Sequence, residues 1–111
     1  MELKTVLYNL KTHIAEHSKN IPPVVHSIIA FGSYAKGQQR VGSDIDIAVV
    51  LADDVEIDVY ERAEIREIFD EFSDDISAEL FFTRSNRVIS TMDVLDANYS
   101  IREEGVPLWT A

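Results

Sequence analysis

The sequence predicts an α/β (α+β) fold in which helices flank a small mixed β-sheet. Three apolar runs of strand length, at residues 24–31, 44–51 and 76–83, are rich in β-branched side chains. Two longer segments, 2–18 and 57–72, carry apolar residues at the spacing of an amphipathic helix. Helical segments that alternate with apolar runs are typical of α/β folds. No linker divides the 111 residues, so we expect a single domain spanning 1–111.

The amino-terminal elements lead from a helix through a strand to a sharp turn. The helix at 2–18 ends before a pair of prolines, because proline cannot continue a helix. The strand at 24–31 runs into Gly32, whose missing side chain permits a sharp reversal. We expect Ser33 to be the N-cap of a one-turn helix that ends at Gly37.

The remaining elements complete the sheet and its helical cover. The run at 44–51 is almost continuously apolar after its first residues, which predicts a well-buried strand. The helix at 57–72 follows, and then the strand at 76–83. Residues 86–105 have a weaker helical pattern, which we interpret as two short helices broken near Asp96. A short edge segment is expected after them, at residues 106–109.

Composition narrows the classes of function. Asp and Glu outnumber Lys and Arg by 20 to 10, giving a formal net charge of −10, which disfavours direct binding to nucleic acid. There is no cysteine, which excludes disulfides and thiolate catalysis. No apolar run has the length of a membrane span, and no signal-peptide pattern is present. We therefore expect a cytoplasmic protein that makes no membrane contact.

Two aspartates at the start of the second strand are the main candidates for chemistry. Asp44 and Asp46 are spaced i, i+2, so strand alternation directs both to one face, with Cα atoms roughly 6.6–6.8 Å apart. Like charges at that spacing repel unless a cation lies between them, and hard oxygen ligands suit Mg²⁺. The upstream turn at Gly32 and Ser33 offers backbone N–H groups and a hydroxyl to phosphate oxygens. Together these features predict a metal-dependent nucleotide site.

The same residues resemble a known signature. Gly32-Ser33 followed by Asp44-x-Asp46 is similar to the signature of the DNA polymerase beta-like nucleotidyltransferases. The fuller pattern, Gly-Ser-x-Ala-Lys-Gly followed by Ser-Asp-Ile-Asp-Ile, resembles the minimal nucleotidyltransferases (MNT), including the MntA-type antitoxins of HEPN–MNT pairs. The match is close over residues 24–51, and the segment 101–109 also resembles the end of these small domains.

The resemblance implies roles for individual residues. Asp44 and Asp46 would bridge two Mg²⁺ ions, and a third carboxylate on a neighbouring strand would complete the metal and catalytic set. Glu79, within the third predicted strand, is our candidate for that third group, with Asp75 as the competitor. The family usually has Asp there, so Glu would lengthen the arm by one methylene. The nucleotide would be bound by Gly32, Ser33, Lys36 and Ser43.

The implied function is Mg²⁺-dependent transfer of AMP from ATP to an acceptor hydroxyl. In the MNT family that acceptor would be a tyrosine of a small helical HEPN partner, which implies an antitoxin role and a homo- or hetero-oligomer. Two alternatives stay open. One is a catalytically weak module that neutralises its partner by contact, and the other is transfer to a small molecule such as an aminoglycoside. Enzymes of the second kind normally carry an additional helical domain.

Overall fold

The computed structural model describes residues 3–40, 42, 44–73 and 76–111. Its elements confirm the predicted fold class, with helices on both sides of a four-stranded mixed sheet. A 3₁₀ turn at Ser18–Asn20 follows the first helix. The remaining elements, in chain order, are α1 (Leu3–Glu16), β1 (Val25–Phe31), α2 (Gly32–Ala35), β2 (Ile45–Leu51), α3 (Val59–Asp70), β3 (Ala78–Arg84), α4 (Ser85–Ser90), α5 (Ala97–Glu104) and β4 (Val106–Thr110).

The sheet has the strand order β3-β2-β1-β4. β1 pairs antiparallel with β2 and with β4, whereas β2 and β3 are parallel and are connected through α3. β2 is an inner strand, and Asp46 is its one residue that is not buried. The predicted edge segment at 106–109 is confirmed as β4.

Two apolar clusters cover the two faces of the sheet. The larger one joins Ile47 and Val49 of β2 to buried side chains of α1 and α3. The smaller one joins Ala48 and Val50 of the same strand to Val88 of α4 and Ile101 of α5. Because successive residues of a strand face opposite sides, Asp46 shares the face of Ala48, beneath α4 and α5.

Side-chain caps fix where two helices begin. Asp58 accepts from the Glu61 backbone N–H at 2.8 Å, and Glu61 accepts from the Asp58 backbone N–H at 3.1 Å, which forms a capping box at the start of α3. Asp96 accepts from the Asn98 backbone N–H at 2.8 Å and caps α5. Such caps contribute about 1 kcal/mol each. The predicted helix break near Asp96 is confirmed.

Three local predictions were wrong. Phe31, not Ser33, is the N-cap of α2, and no side chain caps that helix. The helix ends at Ala35 rather than at Gly37, because its single turn closes through the Lys36 N–H to the Gly32 C=O. β3 begins at Ala78, two residues later than expected. Among the described residues, no helix combines the length and the apolar character that crossing a membrane requires.

Candidate functional site

Asp46 and Glu79 are neighbours across the parallel pair of strands. In the register of β2 and β3, Asp46 is opposite Glu79 and Ile45 is opposite Ala78. Residues that are paired in this way face the same side of the sheet. Asp44 lies directly before β2 and is exposed. The sheet therefore brings two of the three predicted carboxylates side by side, with the third immediately upstream.

The electrostatic environment of Asp46 is unfavourable to its negative charge. Burial raises the pKa of the Asp46 carboxyl above its ordinary value, and the nearby charges of Glu79 and then Asp44 raise this pKa further. A carboxylate that is partly buried beside two like charges gains stability when a cation binds. Hard carboxylate oxygens are the ligands that Mg²⁺ prefers. By donor type and charge, these residues fit a divalent cation.

The carboxylates of Asp44 and Glu79 act electrostatically on Asp46 over distances longer than a metal–oxygen bond. Within the described residues, no three carboxylate or histidine groups converge closely enough to hold an ion. Coulombic repulsion extends well beyond coordination distance, so it acts on Asp46 all the same. Asp44 and Glu79 are both exposed. Glu79 is exposed and is the second residue of β3, a strand at the edge of the sheet.

Gly32 lies directly against the Asp46 carboxylate. Its φ is +72°, a left-handed conformation that side chains rarely adopt. A Cβ atom built on Gly32 would overlap Oδ2 of Asp46 and would lie 3.1 Å from its Cγ. Phe31, the preceding residue, is paired with Asp46 across β1 and β2. Because glycine has no side chain, the turn packs directly against the Asp46 carboxylate.

The turn itself presents backbone donors beside this carboxylate. Ser33 is half-buried within the single turn of α2, and its C=O accepts from the Gln38 N–H at 2.8 Å. The first N–H groups of any helix have no acceptor within that helix and are available to an anion. Lys36 follows α2, and its Nζ forms an ion pair with Glu104 Oε2 at 3.3 Å. Lys36 is therefore tied to the end of α5.

Two predicted residues lie outside the part of the chain that the structure describes. They are Ser43, a nucleotide-binding candidate, and Asp75, the competitor for the third carboxylate. Glu79 is opposite Asp46 in the strand register, which favours Glu79 over Asp75 as the third carboxylate. The role of each predicted site residue stays a prediction.

Sequence reasoning missed two side chains around the turn. Glu104, which pairs with Lys36, has no signal in the sequence, because ion pairs between distant segments leave no local pattern. The side-chain Oε1 of Gln39, in the loop after α2, is buried and has no hydrogen-bond partner among the described residues. An unpaired buried acceptor is costly, so Gln39 is a candidate to bind a ligand or an ordered water.

Comparison with known proteins connects this geometry to a family. A family model described as a nucleotidyltransferase domain matches residues 9–93. No curated protein matches the chain. Its fold is similar to that of a candidate nucleotidyltransferase from Sulfolobus solfataricus, with a TM-score of 0.56 and 19% identity, over 97% of this chain and 83% of that one.

Solved toxin–antitoxin structures are also similar. One, determined with AMP-PNP, has a TM-score of 0.55 and 25% identity, over 91% of this chain and 73% of that chain. Another, a mutant of the toxin–antitoxin MntA–HpeT, has a TM-score of 0.53 and 23% identity over the same shares, 91% and 73%.

Proposed function

The chain belongs to the nucleotidyltransferase domain family, and from this premise we propose that it transfers AMP from ATP to a protein hydroxyl in a Mg²⁺-dependent reaction. The observation that carries the proposal is Asp46, which lies between the Gly32 turn and Glu79 with a raised pKa. A site for a metal-bound nucleotide needs a phosphate-binding turn and a set of carboxylates together. The Gly32 turn and the carboxylates proposed for these roles lie at the same end of β2.

Asp44, Asp46 and Glu79 would hold the metal, with two Mg²⁺ ions expected. When bound, these ions neutralise charge on the nucleotide and on the oxygens that attack and leave. Asp46 lies within β2 and is half-buried, whereas Asp44 and Glu79 are exposed. This arrangement suits a site in which Asp46 is preorganised and the other two carboxylates close on the metal when it binds.

The α2 turn would hold the phosphates. Gly32 lets the turn lie directly against Asp46, and Ser33 would offer a hydroxyl and an N–H donor to a phosphate. Lys36 would contribute a positive charge to the terminal phosphates once it is released from Glu104. Ser43 is proposed as a further nucleotide contact.

In the reaction, the acceptor hydroxyl oxygen forms a bond to the α-phosphorus of ATP. The bond from that phosphorus to the pyrophosphate oxygen breaks, and pyrophosphate leaves. The hydroxyl proton passes to a carboxylate, for which exposed Glu79 is the proposed base. The proposed acceptor is a tyrosine of a small helical HEPN-type partner. The similarity to a toxin–antitoxin structure with AMP-PNP supports this choice of nucleotide and partner.

The decisive experiment measures label transfer from α-labelled ATP to a co-purified HEPN-type protein with and without Mg²⁺. We expect transfer by the unchanged chain and none by the double variant Asp44→Asn plus Asp46→Asn. The control variant Glu16→Gln plus Asp54→Asn removes the same charge from exposed positions and should retain transfer.

Inhibition of the partner is measured in parallel. Transfer and inhibition that both disappear in the aspartate variant support catalytic neutralisation. Inhibition that persists without label transfer would instead identify the chain as a contact inhibitor. A thermal melt of each variant confirms that it is folded.

A further inference from the structure

The outer edge of β3 has backbone groups without strand partners. β3 is the last strand on its side of the sheet. The Ile45 N–H donates to the Ser77 C=O at 2.8 Å, so the backbone groups of Ser77 face β2. Alternation then turns the backbone groups of Ala78, Leu80 and Phe82 away from the sheet. Arg66 Nη1 donates to the Ala78 C=O at 2.7 Å from outside, consistent with this direction.

Leu80 and Phe82 form the uncovered part of this edge. Neither backbone has a hydrogen-bond partner beyond β3 among the described residues. An unpaired strand edge is a template for the addition of another strand. The edge therefore offers one N–H and one C=O at each of two alternate positions.

An apolar cleft with a cationic rim lies beside these groups. It has a volume of about 380 Å³ and separates β3 from α3. The Arg62 guanidinium lies 4.5 Å from the centroid of the Phe82 ring. The cleft is lined by Val59, Arg62, Ala63, Arg66, Leu80 and Phe82.

A second cleft of about 300 Å³ meets the same strand. It extends round the strand from Phe82 to Phe81 and includes Arg84 and Arg87. Two neighbouring residues of a strand face opposite sides, so this cleft reaches both faces at the edge. A strand laid along β3 would therefore contact side-chain pockets as well as backbone groups.

Four arginines line this edge, and two of them, Arg66 and Arg84, are ion-paired with Asp70 and Glu56. The whole chain has 10 Lys and Arg residues against 20 Asp and Glu residues. Four of those basic residues, Arg62, Arg66, Arg84 and Arg87, line the two clefts. Within the described part of the chain, Arg62 and Arg87 form no ion pair. An acidic protein thus has a basic strip at an uncovered strand edge.

We propose that the free edge of β3 is a docking site for an extended, acidic segment of a partner protein, which adds as a fifth strand. Its backbone would pair with Leu80 and Phe82, and its acidic side chains would reach Arg62 and Arg87. This docking goes beyond the proposed nucleotidyl transfer.

Charge and geometry favour this occupant over two others. A second copy of the chain, paired through β3, would bring the arginine rims of both molecules together. RNA would be attracted by the arginines, but the net charge of −10 opposes a polyanion over the rest of the surface. Alternating backbone donors and acceptors match an extended peptide.

The test uses the full chain and a fluorescein-labelled, capped nonapeptide in which Glu alternates with Val. Anisotropy should show saturable binding that weakens as salt is raised. A matched peptide with Lys in place of Glu should bind at least about tenfold more weakly. A peptide of the same sequence with alternate N-methylated amides keeps its charges but cannot pair as a strand, and it should also lose at least about tenfold.

Variants locate the site on the protein. Arg62→Glu plus Arg87→Glu should weaken binding by at least about tenfold. Lys11→Glu plus Lys19→Glu makes the same charge change at exposed positions of the amino-terminal region and should alter binding by less than about twofold. Hydrogen exchange should show new protection of the Leu80 and Phe82 amides when the peptide is bound.

Three outcomes would overturn the proposal. The first is the absence of peptide binding by the folded, unchanged chain. The second is equal binding of the N-methylated peptide, which would reduce the interaction to charge attraction alone. The third is tighter binding of a twelve-residue oligouridylate, competing with the peptide, which would identify the basic strip as a nucleic-acid site. Thermal melts exclude misfolding of the charge-reversal variants.

Discussion

The charged side chains at the two ends of β3 are in opposite electrostatic environments. At its start, Glu79 lies opposite Asp46. Burial and two nearby negative charges disfavour the negative charge of Asp46. At its end, Arg84 Nη1 donates to the C=O groups of Ala52 at 2.8 Å and Val55 at 2.7 Å. Nη2 of the same arginine lies 3.5 Å from Glu56 Oε1.

The comparison separates structural charge from functional charge. The guanidinium of Arg84 has its hydrogen-bond acceptors and its ion-pair partner within the protein, so this side chain joins β3 to the loop after β2. The described residues leave Asp46 with repulsive neighbours, which is a cost that folding alone does not explain. The start of the strand is therefore where a ligand is expected.

The largest effect should come from Asp46→Asn. We expect AMP transfer to fall by about 10²–10³-fold or more, because an electrostatic group at the reacting phosphate is lost. The same variant should raise the free energy of unfolding of the metal-free chain, since it removes like-charge repulsion. Transfer assays and urea unfolding measure the two effects. A variant that is less active and also less stable would contradict the comparison.

Gly32→Ala tests the contact between the turn and the carboxylate. The left-handed backbone should cost about 1–2 kcal/mol, and overlap with Asp46 should add about 1–3 kcal/mol. Gly42→Ala is the matched control, since Gly42 has a φ of +83° and nothing within 4 Å of a built Cβ. Equal losses of unfolding free energy in the two variants would show that the contact with Asp46 is unimportant.

Arg84→Gln tests the satisfied end of the strand. Losing a charged donor to two carbonyls should lower the free energy of unfolding by about 2 kcal/mol. Transfer per folded molecule should not change, since this arginine is far from Asp46 along the strand. Lys19→Gln removes one exposed positive charge as a control. A fall in kcat for the folded Arg84 variant would contradict the division between the two ends.

The raised pKa of Asp46 determines the direction in which the stability of the fold changes with pH. Because the pKa of Asp46 lies above its ordinary value of 3.8, the folded chain binds this proton more tightly than the unfolded chain. The stabilisation is fully present below 3.8 and is lost as the pH rises through the raised value. In urea unfolding, the stability advantage of Asp46→Asn over the unchanged chain should therefore grow as the pH rises from about 4 through the raised pKa of Asp46. A constant difference would contradict the assignment.

The smallest effect should come from Glu104→Gln. Exposed ion pairs contribute about 0–1 kcal/mol, so releasing Lys36 should lower the KM for ATP by about twofold with kcat unchanged. Glu103→Gln, at the adjacent exposed position, is the control. A higher KM would indicate that Glu104 positions Lys36 for the nucleotide rather than competing with it.

Local pattern was enough to predict most of the fold. The apolar run of β2, the helical spacing of α1 and α3, and the break at Asp96 each depend on residues close together in the sequence. The same holds for the turn at Gly32, where glycine permits a reversal that other residues resist. The cap of α2 was mispredicted, because Ser33 has the side chain of an N-cap but lies inside the helix.

The candidate site needed information that the sequence does not hold. The pairing of Asp46 with Glu79 depends on the register between the parallel strands β2 and β3, which the local pattern of either strand does not specify. The exposure of Glu79 follows from the edge position of β3, which depends on strand order. The ion pair of Lys36 with Glu104 joins two segments that are far apart in the sequence.

The parallel arrangement of β2 and β3 makes the crossover through α3 indispensable to the site. A hairpin could bring its two strands together without help, but parallel strands need a long return path across the sheet. A protease that cuts the segment between Leu51 and Ala78 would break the covalent connection between the strands that carry the two carboxylates while leaving both residues intact. Transferase activity should therefore report on the integrity of the whole domain, and limited digestion should abolish it before any residue of the site is touched.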